Sequence, residues 1–169
     1  MQRLTARMAR AVTTWPDARG WAFTAAVGAA SLAAMAAIGF SSGLYAVHPA
    51  RTQGLPLRLL TVLIAPAIGE EALFRGLLIP DRTETLRPWS ALAAVTGVFT
   101  LWHVVEAKTF LRVAEPMFLR PSFLACAASL GLGCGLIRWR TASLWPVVAV
   151  HWLAVILWQT WLGGLVLDD

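Results

Sequence analysis

The stretch LLTVLIAPAIGEEALFRGLLI, Leu59–Ile79, decides how this chain must be read. At 21 residues it is long enough for a helix to cross the hydrocarbon of a bilayer, about 30 Å at 1.5 Å per residue. Yet it carries Glu70, Glu71 and Arg75. Each such group costs about 2.5–3.5 kcal/mol or more at mid-bilayer. Together they cost as much as the whole stability of a domain, so they must face a polar, protein-lined interior.

Four further apolar runs flank this one, at Trp21–Phe40, Trp89–Phe110, Pro121–Ile137 and Ser143–Leu167. The segments between them (HPARTQG, PDRTETLRP, KTFLRVAEPMFLRP and RWRT) hold nearly all the remaining charge. None of the runs alternates in polarity with a period of two, which excludes barrel strands. The 169 residues are 58% hydrophobic and only 14% charged, against about 25% charged in a soluble domain. A soluble enzyme and a disordered chain are both excluded. The expectation is an all-α, polytopic transmembrane bundle of about five helices around a polar cavity. Residues 1–20 form a basic N-terminal segment and 21–169 one transmembrane domain. The first run is longer than the apolar region of a signal peptide and is read as a span.

The net charge of +5 does not point to nucleic acid. Thirteen of the fourteen basic residues are Arg, placed singly or in pairs beside the apolar runs, as at membrane boundaries. With the N-terminus inside, eight of them lie on inner segments: Arg3, Arg7, Arg10, Arg19, Arg82, Arg87, Arg138 and Arg140. The outer segments hold five, namely Arg51, Arg58, Lys108, Arg112 and Arg120, and place Asp168 and Asp169 outside. The bias favours a cytoplasmic N-terminus. Cys126 and Cys134 are eight residues apart, about 12 Å along a helix. They are too far apart for a disulfide and read as small core residues.

Helix geometry separates the two adjacent glutamates. Glu71 and Arg75 are four apart on one face, acid before base, the favoured order for an ion pair. Glu70 lies about 100° round the helix without such a partner and is the candidate general base. His103 and Glu106 lie in the third run and His151 in the fifth. With alternating helix direction, Glu70, His103 and His151 fall within about 10 Å of one another in depth. Glu106, one turn after His103, either orients that imidazole or reaches toward the headgroups. His48, beside Pro49 in a connecting segment, is expected in solvent, and Trp152 is a candidate for lining the site.

Here the residues reach a resemblance. EEALFRG (Glu70–Gly76) has the form EExxxR, FTLWH (Phe99–His103) the form FxxxH, and HWLAV begins a third motif at His151. In this order, on successive spans, they resemble the glutamic-type intramembrane endopeptidases of the CPBP family. That family includes the CAAX prenyl protease 2 (Rce1-type) enzymes and bacterial immunity-like relatives. The family-like core covers about residues 59–167.

The resemblance implies roles. Glu70 activates a water with help from His103, His151 steadies the oxyanion, Glu71 and Arg75 support the site, and Phe99 packs beside it. No cofactor is implied. Zinc held by two His and a Glu is the alternative, although no HExxH is present. The implied partners are a membrane-anchored protein or peptide substrate and the bilayer itself, in a bacterial inner membrane. One position departs from the pattern: Val155 stands where many members carry an Asn that donates to the oxyanion. Gln159, two turns from His151, is a poor substitute. The Trp-rich, Gly-ended last run resembles the myxosortase-like group, which processes C-terminal anchor segments of surface proteins. Two readings compete with the peptidase, a non-catalytic immunity or scaffold relative and a small proton-coupled transporter.

Overall fold

The computed structural model describes residues 2–166. Asp168 and Asp169, expected on the outer face, lie outside the described residues, as does the side chain of Arg3. The elements in order are α1 (Gln2–Thr13), α2 (Ala18–Ser41), α3 (Leu55–Val62), α4 (Trp89–Lys108), α5 (Glu115–Phe118), α6 (Pro121–Thr141) and α7 (Trp145–Trp161). Two π-helical segments, Leu63–Glu70 and Ala72–Leu78, continue α3, and a 3-10 turn at Arg112–Ala114 precedes α5. No strand occurs among the described residues.

Three helices, α2, α4 and α6, are long and apolar enough to cross a membrane. The other two runs depart from regular spans. In the second, Pro66 has no N–H to give the ladder, and the helix widens to i→i+5 bonding around it. The helix also starts earlier than the apolar pattern indicates, at Leu55, with Pro56 in its first turn. The last run is helical only over Trp145–Trp161, 17 residues, and is irregular from there to Val166, with Gly163 in the left-handed region.

α6 is the most enclosed span, and its small residues explain why. Its GLGCG stretch sets Gly131 against Phe99 of α4, Gly133 against Ser31 of α2 and Gly135 against Leu92 of α4. Without side chains at these points the neighbouring backbones close on α6 from both flanks. Cys126 and Cys134 are both free and buried in this packing. α7 closes the bundle against α6 and the first π-helical segment.

The connecting segments gather at two opposite ends. At one end, Trp139 Nε1 donates to Thr85 O, and Leu144 N to Ala11 O. Here α1 is clamped: Arg7 pairs with Glu84 at 2.7 Å, while Arg10 pairs with Asp81 at 3.1 Å and Glu84 at 3.0 Å. Burial alone would raise the Asp81 carboxyl, but hydrogen bonds from Thr83 and Arg10 outweigh it and hold the group below its ordinary value. The Arg7 guanidinium does the same for Glu84. At the other end, His48 N donates to Trp161 O and Arg120 to Ser42 O. His48 is exposed there, as expected.

Candidate functional site

The second run, α4 and α7 bring their ionisable residues to one cavity of about 320 Å³. Glu70, His103, Glu106 and His151 all line it, with Phe99 and Val155 among the apolar walls. Glu71 and Arg75 stand behind it with no exposed surface at all.

Each group is held by a definable contact. Glu71 Oε1 accepts from Arg75 at 3.0 Å, the pair expected from their spacing. The same oxygen accepts from His151 Nδ1 at 2.7 Å. A carboxylate oxygen only accepts, so Nδ1 carries the proton and Nε2 is the nitrogen turned toward Glu70, 4.0 Å from its Oε2. His103 is set in the same way: Nδ1 lies 3.0 Å from Phe99 O, a pure acceptor, which leaves Nε2 for the cavity. Phe99 packs edge-on to both imidazoles, with centroids 4.9 and 6.0 Å away. The Arg75 guanidinium lies over its face at 3.9 Å.

Glu70 is different in kind. Its Oε2 is buried and has no hydrogen-bond partner. A carboxylate oxygen without a donor, facing bare imidazole nitrogens, is suited to hold and deprotonate a water. Glu106 turns inward to this group rather than toward the headgroups. One ligand atom each from Glu70, His103 and Glu106 lies within 4.8 Å of the others. The ligands of one zinc ion sit no farther than about 4.4 Å apart, so this trio is near the range a divalent ion needs. It is not the combination of two His and a Glu expected above.

Three positions differ from expectation. Trp152 does not line the cavity; its indole donates to Leu59 O at 2.9 Å, tying α7 to the second run. Gln159 does line it, and its amide oxygen is buried without a partner. Arg58, counted with the charges that flank the membrane, is instead buried in the cavity wall. The signal for Arg58 was available in Gly54 and Pro56, which start the helix before it. The Glu71–His151 bond joins residues 80 apart and leaves no local pattern to read.

The profile of the family described as Type II CAAX prenyl endopeptidase Rce1-like matches residues 52–157, more than half of the 169. No curated protein and no solved structure matches the chain. The matched region begins in the segment before α3 and ends in α7, so it contains every cavity carboxylate and imidazole described above. On that match, this integral membrane chain belongs to the Rce1-like family of type II CAAX prenyl endopeptidases.

Proposed function

We propose that the chain is a glutamic-type intramembrane endopeptidase that hydrolyses a peptide bond near the terminus of a membrane-anchored protein. The observation that carries this reading is the unpartnered Glu70 oxygen facing two imidazoles in one cavity. Glu70, assisted by His103 Nε2, takes a proton from water as the oxygen attacks the peptide carbonyl. His151, which takes a proton from solvent on its otherwise bare Nε2, donates to the oxyanion, and Glu71 stabilises the imidazolium. Collapse breaks the C–N bond, and the leaving amine takes the proton from Glu70. Glu71 and Arg75 position His151 and touch no substrate. The reading needs no metal. It sets the protein in a bacterial plasma membrane with its N-terminus cytoplasmic, processing C-terminal sorting segments.

The test is a gene deletion complemented with wild type, Glu70→Gln or His151→Ala, read by mass spectrometry of membrane-protein C-termini. Termini that lengthen in the deletion and shorten again only with wild type support the peptidase. A second reading, a non-catalytic scaffold relative, is favoured by Val155, which offers the oxyanion no donor. Unchanged termini together with loss of a membrane partner would establish the scaffold instead.

A further inference from the structure

Where α1 docks, three guanidinium groups share two carboxylates. Arg7 and Arg10 hold both Asp81 and Glu84. The third, Arg138, lies beneath α1 with no exposed surface. Its Nη2 reaches Arg7 O at 3.5 Å, while its Nε and Nη1 are buried without partners. Among the described residues no carboxylate pairs with it. Yet Asp81 and Glu84 are near enough to act on its charge, and Arg82 N, in the loop that carries them, donates to Trp139 O at 3.2 Å. A buried guanidinium left with a neutral acceptor has lost its water without gaining an opposite charge.

The two ends of α1 are fastened differently. Toward its C-terminus the bonds are neutral: Leu144 N donates to Ala11 O and Trp145 Nε1 to Val12 O, both at 2.8 Å. Nearer its N-terminus they are ionic, and the Arg10 side chain is 43% exposed, so its pairs add little net stability. The outer face shows Leu4 and Val12, with Trp15 just beyond, the side chains of a helix that can lie on a bilayer surface. Arg7 also donates to Leu77 O and Leu78 O, and Met8 sits close over Gly76, next to Arg75.

We propose that α1 is a latch released by anionic lipid: headgroup phosphates take Arg7 and Arg10, α1 pivots about Ala11 and Val12 onto the bilayer surface, and Arg138 takes Asp81 and Glu84. Docked, one of the three guanidinium groups has no counter-charge; released, all three have one. That difference is what lets the lipid shift the equilibrium. Release also withdraws Arg7 from the carbonyls that end the segment carrying Glu71 and Arg75, so lipid charge sets how firmly the site is held. The latch does not depend on the peptidase reading, and α1 lies outside the family match at residues 52–157.

The experiment uses the full-length chain with Cys126→Ala and Cys134→Ala, spin-labelled through Ala9→Cys and Ala93→Cys, two exposed positions. It is placed in nanodiscs of phosphatidylcholine alone, or with three parts in ten phosphatidylglycerol. Pulsed electron resonance should give one short distance in phosphatidylcholine and a second, longer one in the mixture. Amide protection over Ala72–Leu78 should fall severalfold in the mixture. Arg138→Met should hold the short distance in both lipids, since release would leave two carboxylates unpaired, and Arg138→Lys should restore the second. Identical distances in the two lipids overturn the proposal, whether or not the Arg138 variants fold. A longer distance that persists in Arg138→Met also overturns it. So does one that inorganic phosphate produces equally in phosphatidylcholine alone, which would make the occupant a free anion. Release with unchanged protection over Ala72–Leu78 overturns the link to the site.

Discussion

Glu71 and His151, 80 residues apart in the chain, share a hydrogen bond of 2.7 Å on the carboxylate oxygen that also accepts from Arg75. One fully buried carboxylate therefore neutralises a guanidinium and fixes an imidazole, while its neighbour Glu70 keeps an unpartnered oxygen at the cavity.

The two glutamates should respond oppositely to the same substitution. Glu71→Gln leaves the Arg75 charge buried without compensation, and breaking such a pair costs about 3–5 kcal/mol. Its thermal midpoint in detergent should fall by several degrees, and processing should be lost. Glu70→Gln should lose processing with the midpoint unchanged or raised, since no protein donor depends on that carboxylate. Matching drops in both variants would assign both glutamates to structure.

Val155 is one turn beyond His151 and lines the cavity without a polar atom. Val155→Asn should add an oxyanion donor and raise kcat by about 10- to 100-fold with little change in KM. Steady-state kinetics of the purified variant checks this. An unchanged kcat means that another group already occupies the role.

The clamp on α1 predicts a pH response. Asp81 and Glu84 both lie below their ordinary values, so their contribution is present above the unfolded values, about 3.9 and 4.3, and is lost as pH falls through the lower folded ones. The protection of amides across Gln2–Thr13, taken relative to the intrinsic exchange rate at each pH, should be level from pH 8 to about pH 5 and fall below about pH 4. In a double Asp81→Asn, Glu84→Gln variant that protection should be low throughout. A flat profile in the wild type would mean that apolar packing alone holds the helix.

Close approach at α6 gives a paired test. A methyl at Gly133 would collide with Ser31 Oγ and come within 3.1 Å of Ser31 Cβ, whereas one at Gly97 meets nothing within 4 Å. Gly133→Ala should cost about 1–3 kcal/mol by forcing α2 away. Gly97→Ala should be neutral or slightly stabilising, since alanine is the better helix former. Thermal unfolding of both variants decides it; equal midpoints would show that the α2–α6 seam is loose.

How far the sequence could be read follows from how local each signal is. The Glu71–Arg75 pair was legible because both residues sit on one helix at a favoured spacing. The meeting of Glu70, His103 and His151 was legible as a shared depth, because antiparallel spans convert chain position into height. What could not be read depends on rotation about the helix axes. Glu106 could face inward or outward by its position alone, and only the packing of α4 turns it to Glu70. Trp152, beside His151, was expected at the cavity and points to Leu59 instead. Arg58 was misread because charge near a run's end is ordinarily solvated, and the true helix start lies three residues before it.

The widened turns around Pro66 make chain length itself a determinant of the site. Deleting one residue from Leu63–Gly69 without a turn tightening to α would rotate α3 by roughly a quarter turn relative to the glutamates. Arg58 would swing out of the cavity while Glu71 and Arg75 kept their spacing. A relative one residue shorter here would preserve each motif letter for letter, yet would keep the far wall of its site only by winding this turn as α.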